Sequence, residues 1–329
     1  MKLSWERDVT MKVGVPRTLF YYAYSPFICS FFEELGVEVV VSELTSKKII
    51  DEGVEDAVSD ACVPIKLFHG HVKNLLNKVD FVLVPRLVSV NDESTFCPKF
   101  LGLPDMLESS IPGFDNMLEV RVNTKGKRSE LFKTCLKTAG TLGRGFFKTL
   151  KAFNKALKNY EEYKRKFQQG AIPYLGVESQ DKNSDVSIGV VGYPYILYDS
   201  YLSLDIIKKL ILMGCHVVTP EMLSEEEKRR EDLKLRKLLF WTLSNGVLRA
   251  SYNFIREKKV DGIIHVTAFG CGPDFIVDKL LEFECKEKNV PFLTVTLDEH
   301  TGQEGVNTRL EAFVDMMRIK KARKEAAVS

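Results

Sequence analysis

The 329-residue chain has no Cys-x-x-Cys pair, so the compact ligand sets of zinc ribbons and ferredoxin-type clusters are absent. It has no GxxxxGK(S/T) loop and no GxGxxG after a strand, which argues against nucleotide hydrolysis within this chain. Its five histidines allow no Ser-His-Asp order to be assigned. Lys and Arg number 47 against 45 Asp and Glu, and a net charge of +2 makes no global case for nucleic acid. No apolar stretch approaches the roughly 20 residues of a membrane span. The opening MKLSWERDVTMKVG carries charges where a signal peptide would need an apolar run. These absences lead us to expect a cytoplasmic protein away from membranes, whose seven cysteines are reduced thiols or metal ligands rather than a disulfide framework.

Three of those cysteines share a setting. Cys97 stands directly before a proline, and Cys62 and Cys271 stand one residue ahead of one, in ACVPIKLFHGHV, FCPKFLGLPDM and FGCGPDFIV. Proline suits the first helical position, so each thiol is expected at the entry to a helix, where free N–H groups and the helix dipole favour the thiolate that binds metals. One iron–sulfur or zinc site assembled by folding is one reading; buried filler is the other, since free cysteine is a common core residue. Cys29, Cys135, Cys215 and Cys285 lack the proline and read as core or helix-face residues. Three thiolates leave a fourth metal position open, which in a zinc site His69, His71 or His300 could fill. His69 and His71, two apart on a helix, point to different sides.

The rest of the chain reads as strands alternating with helices. Expected strands cover residues 12–16, 37–41, 80–85, 186–192, HVVTP after Cys215, 261–267 and 291–297; expected helices cover 63–78, 104–110, about 200–213 and the C-terminus. The two halves repeat: KVGVPRTLFYYAYSPF matches SIGVVGYPYILYDSY, and KVDFVLVPR matches KVDGIIHVT. This predicts an α/β protein with parallel sheets, divided into an N-terminal lobe (1–120), a basic amphipathic helical connector (121–185) and a C-terminal lobe ending in a helix (186–329). Ligand crevices in such sheets lie beyond the carboxyl ends of the strands. The loops there carry Arg17, Tyr21, Tyr22 and Tyr24, Cys97, Tyr193 to Tyr198, Cys271, and Glu299 with His300. Facing crevices would set Cys62 and Cys97 opposite Cys271, with Arg17, Tyr22 and Tyr195 as substrate contacts and Glu299 and His300 as the acid–base pair. His300 reads equally as a cap for the following helix.

Residues 121–170 hold fourteen basic and three acidic residues, beside an apolar stripe from Phe132 to Leu157. Their charge reads as a solvated helix face or as a docking surface for an acidic partner or a phosphate-bearing substrate.

The motifs VPRTLFYYAYSPF, SDACVPIKLFHGHV, VPRLVS with CPKFLGLPDM, FGCGPD and DEHTGQEGVNTRLEAFVDM together resemble the family of the 2-hydroxyacyl-CoA dehydratase components. Its relatives include benzoyl-CoA reductase subunits and double-cubane cluster proteins. The branch resembled is the one fused to, or encoded beside, the ATP-dependent CoA-dehydratase activator. The resemblance runs from about Lys12 to Met317, apart from the basic middle segment. It implies two Rossmann-like lobes and a [4Fe–4S] cluster held by Cys62, Cys97 and Cys271, with one iron open to a ligand. It also implies an activator ATPase that injects a low-potential electron, an acyl-CoA or other small-molecule substrate, and a dimer or hetero-oligomer. The chain departs in being shorter than the dehydratase subunits and in lacking the activator's nucleotide-binding domain. Two functions follow: reductive or dehydratase chemistry with electron transfer at the cluster, as a lyase or reductase component in an anaerobic setting, or a noncatalytic cluster-bearing or zinc-stabilised accessory subunit.

Overall fold

The computed structural model describes residues 11–181, 184–231 and 238–326, so the first ten residues of the charged N-terminal stretch and the last three of the tail lie outside the described residues. In the first lobe, β1 (Lys12–Val15), α1 (Tyr21–Glu34), β2 (Glu38–Val41), α2 (Lys47–Asp56), α3 (Val63–Leu75), β3 (Phe81–Ser89), α4 (Pro98–Leu101), α5 (Leu103–Ser110) and β4 (Met117–Asn123) follow in turn. The helices α6 (Arg128–Thr141) and α7 (Phe146–Gln168) lead out of it. The second lobe contains β5 (Ser187–Val191), α8 (Pro194–Leu197), α9 (Ile206–Leu212), β6 (His216–Val218), α10 (Glu225–Arg229), α11 (Thr242–Arg256), β7 (Gly262–Ala268), α12 (Gly272–Glu287), β8 (Phe292–Leu297) and α13 (Gln303–Ala326).

Both sheets are wholly parallel, with orders β2-β1-β3-β4 and β6-β5-β7-β8. The central strands β1, β3, β5 and β7 are largely buried, as the inner strands of a parallel sheet covered by helices are. The shared order bears out the α/β reading and the repeat between the halves. In each lobe the chain leaves the first and third strands in opposite directions, which opens a crevice at their carboxyl ends. No helix among the described residues is long and apolar enough to cross a membrane.

The connector binds the lobes together. On α7, Phe153 packs edge-on to Phe27 of α1 at 6.1 Å between centroids, while Phe167 meets Tyr198 of the second lobe at 5.4 Å. The buried apolar side chains of the two lobes form one continuous core. Of the apolar stripe expected in this segment, Leu142 and Phe153 are buried, whereas Phe146, Phe147 and Leu150 are exposed, and the contact with the second lobe comes from Phe167 beyond the stripe.

Some element boundaries differ from expectation. Strand β4 carries the first sheet to Asn123, past the expected lobe end at residue 120. Its residues Leu118, Val120 and Val122 alternate with Glu119, Arg121 and Asn123, the two-residue period of a strand with one face exposed. Helix α3 stops at Leu75 rather than 78, where Asn77 takes a left-handed φ of 62°. The aromatic loop after β5 contains the short helix α8, started by Pro194.

The position of α3 depends on close backbone contact. A Cβ on Gly70 would fall 1.9 Å from the carbonyl oxygen of Ile49, and one on Gly53 would fall 1.9 Å from that of Lys66. Helices α2 and α3 can cross this tightly only because neither glycine has a side chain.

Candidate functional site

Cys62, Cys97 and Cys271 are the N-cap residues of α3, α4 and α12, and in each case a proline occupies the first turn. The three side chains line one cavity of about 440 Å³ at the junction of the lobes. Each thiol is half-buried, and none is in a disulfide. Cys97 follows β3 and Cys271 follows β7, so both come from segments beyond strand carboxyl ends; Cys62, in the same lobe as Cys97, stands at the start of α3, ahead of β3. Gly270 brings the loop after β7 alongside Cys62, and its left-handed backbone rather than a lack of space is what favours glycine there. Its φ of 77° turns the chain out of β7, and a Cβ built on it would lie 3.7 Å from the Cα of Cys62.

The wall is largely apolar, with Leu19, Ile65, Phe96, Phe100 and Ile276 on it. Burial pushes all three thiols above their ordinary range. Lys99 and first-turn N–H groups act in the opposite direction at Cys62 and Cys97, as the Asp274 N–H does at Cys271. Without a cation the site therefore holds neutral thiols, and a metal group would displace their protons. Among the described residues no three His, Cys, Asp or Glu side chains are grouped as one metal ion would need. A single zinc ion demands sulfurs about 2.3 Å from it. Three thiols lining one cavity are the donor chemistry that an iron–sulfur cluster takes.

The other expected site residues divide. Tyr195, on α8, lines the cysteine cavity together with Tyr193 and Trp241. Tyr22 lines a larger cavity of about 1280 Å³ bounded by α1, α6, α7 and α11. Arg17 lies on the lobe seam, stacked over Tyr21 at 5.4 Å, with its Nε donating to the Ser42 carbonyl at 3.0 Å. Glu299 is paired with Lys66 of α3 at 2.6 Å, and His300 is exposed in the turn after β8, its backbone N–H donating to Asp298. Neither Glu299 nor His300 lines the cysteine cavity, and neither do His69 and His71. His69 turns back to the Ile65 carbonyl at 2.9 Å.

His71 belongs to a buried chain across the lobe seam. The Arg17 N–H donates to Ser42 Oγ at 2.8 Å, Ser42 Oγ meets His71 Nδ1 at 2.8 Å, and His71 Nε2 meets Thr45 Oγ1 at 3.0 Å. Thr45 then donates to Asp199 of the second lobe, as Tyr22 does at 3.3 Å. Burial and the Arg17 charge hold His71 down at about 3, so the imidazole is neutral and relays one hydrogen bond on each side.

A second buried group was not anticipated. His265, in the middle of β7, meets Asp278 at 2.9 Å and Asp274 at 3.2 Å, both from α12, and Thr294 donates to Asp278 at 2.6 Å. Burial pulls His265 down, but the two carboxylates outweigh it and hold the imidazole up at about 9. The signal was a histidine inside the apolar run DGIIHVT, since buried polar groups need partners.

Two families match this sequence. The CoA enzyme activase uncharacterised domain (DUF2229) matches residues 12–223, and the 2-hydroxyglutaryl-CoA dehydratase D-component matches residues 144–317. No curated protein matches. A solved structure described as a putative sugar binding protein from Salmonella typhimurium LT2 aligns with 95% of this chain and 87% of its own, at 11% identity and a TM-score of 0.24. That likeness is too slight to bear on fold or ligand. By the extent of the two family matches, the chain belongs to the CoA enzyme activase domain family (DUF2229) and, through its second half, to the 2-hydroxyglutaryl-CoA dehydratase D-component family.

Proposed function

We propose that Cys62, Cys97 and Cys271 hold a [4Fe–4S] cluster at the lobe junction, and that the protein serves low-potential electron transfer or reductive dehydratase-type chemistry in the cytoplasm. One observation carries this reading: three cysteines, each at the start of a proline-initiated helix, line a single cavity. Membership of the dehydratase component family agrees with it. When bound, such a cluster supplies a one-electron carrier with one iron open to a small ligand.

The chain's own residues do the rest. The three thiols give up their protons to ligate, Lys99 offsets part of the resulting negative charge, and the apolar wall keeps water from the sulfurs. The activase family match supports an activator ATPase as the electron source, and the exposed basic face of α7 is our candidate for its docking surface, in a dimer or hetero-oligomer. An acyl-CoA or similar substrate would approach the open iron past Tyr195, while Arg17 and Tyr22 act from the lobe seam.

A second reading, a cluster-bearing accessory subunit without catalysis of its own, is favoured by the placement of Glu299 and His300 away from the cavity. Anaerobic purification with iron, sulfide and zinc analysis tests the cluster. About four irons and four sulfides per chain, with a spectrum that bleaches on reduction, are expected; stoichiometric zinc overturns it. Turnover of 2-hydroxyacyl-CoA with an activator and ATP then separates the catalytic reading from the accessory one.

A further inference from the structure

Tyr195 and Tyr193 both line the cysteine cavity, and both are more than nine-tenths buried. Their hydroxyls differ. That of Tyr193 is bonded to Ser244 Oγ at 2.8 Å, whereas that of Tyr195 has no hydrogen-bond partner among the described residues. The ring is held in place from both lobes, by Tyr193 at 5.6 Å and by Phe100 of α4 at 6.0 Å between centroids. Tyr195 is therefore a phenol held from both lobes in the apolar cavity that the three cysteines line.

We infer that the Tyr195 hydroxyl is a hydrogen-bond donor to the sulfur atoms of the group held by the three cysteines, and that it sets how readily that group accepts an electron. This rests on the cluster reading above. A phenol O–H has one proton to give, and the sulfurs of a group held by Cys62, Cys97 and Cys271 would be acceptors in the same largely apolar cavity. Such a bond strengthens when the sulfurs gain negative charge, so it stabilises the reduced form more than the oxidised one. Tyr195 is thus a positioning and tuning residue.

The test compares reconstituted wild-type protein with Y195F and Y193F, using iron and sulfide content, redox titration and EPR of the reduced state. Y195F is expected to keep its full iron and sulfide but to show a more negative midpoint potential and an altered EPR signal, while Y193F stays close to wild type. A Y195F protein with wild-type potential and EPR overturns the inference and leaves the cluster reading intact. A wild-type protein that binds no iron overturns both.

Discussion

Lys66 of α3 and Glu299 of the loop after β8 meet across the lobe junction at 2.6 Å, one helical turn beyond Cys62. Their side chains are 10% and 18% exposed, so the pair is largely removed from water. It fixes the helix that presents one cysteine to the lobe that presents another. Burial opposes the charge on Glu299, but the lysine holds its carboxyl below the usual range.

Substituting Glu299 by Gln leaves the ammonium of Lys66 buried without its counter-charge. Loss of one partner from such a pair costs about 3 kcal/mol. We expect a lower Tm for E299Q and partial recovery in the double variant K66M/E299Q, which buries no unpaired charge. Equal stability of E299Q and wild type would remove the clamp from this account. The pair's stabilising effect is complete above the ordinary carboxylate pKa and is lost as the pH falls below it.

Replacing Cys62, Cys97 or Cys271 by Ala should abolish metal binding, whereas Cys135→Ala and Cys285→Ala, in the buried core, should leave it unchanged. Because burial raises all three thiols, metal uptake should improve with rising pH. Each proton released changes the apparent affinity about tenfold per pH unit below the thiol pKa. Iron content measured at several pH values after anaerobic reconstitution checks both points, and retention of full iron by any of the three single variants would exclude that thiol.

His265 predicts an alkaline limit to stability. Its folded pKa of about 9 lies above the unfolded value of 6.5, so its contribution is complete below about 6.5 and disappears as the pH rises through about 9. Substitution by Gln should cost about 3 kcal/mol near pH 6, because Asp274 and Asp278 lose the cation between them, and should flatten the alkaline fall. His71 acts at the other end: held at about 3, it contributes stability above 6.5 that is lost as the pH falls toward 3. Denaturant titrations of H265Q and wild type from pH 5 to pH 10 measure the difference, and parallel curves would count against the buried cation.

Gly70→Ala should disturb the metal site without touching a cysteine. The added Cβ meets the Ile49 carbonyl at 1.9 Å, so α2 and α3 must separate and the start of α3 shifts with them. A loss of about 3 kcal/mol, at the upper end for overpacking, is expected together with reduced iron content. Wild-type stability and iron loading in G70A would show that α2 does not hold Cys62 in place.

Much of the architecture was legible locally. The strands at 12–16, 186–192 and 261–267 announced themselves as apolar runs, and the prolines after Cys62, Cys97 and Cys271 announced helix starts. Less visible were β4, whose strand alternation lies inside a strongly basic stretch, and α2, whose N-cap at Ser46 is its main local mark. Helix α11 also escaped, because much of its buried face is polar, with Ser244, Asn245, Arg249, Ser251 and Asn253 among its buried residues.

The sequence by itself determined the repeated α/β plan and the chemical likeness of three thiols, since strand period, helix starts and proline geometry are encoded within a few residues. Tertiary structure alone decided which groups meet. Cys62 comes to lie beside Gly270, in the cavity that Cys271 also lines, through the packing of segments some two hundred residues apart. Glu299 went to Lys66, Tyr22 to Asp199, and Tyr195 to the cysteine cavity. A buried charge or hydroxyl takes whichever partner the packing of distant segments brings within reach, and no spacing along the chain records that distance.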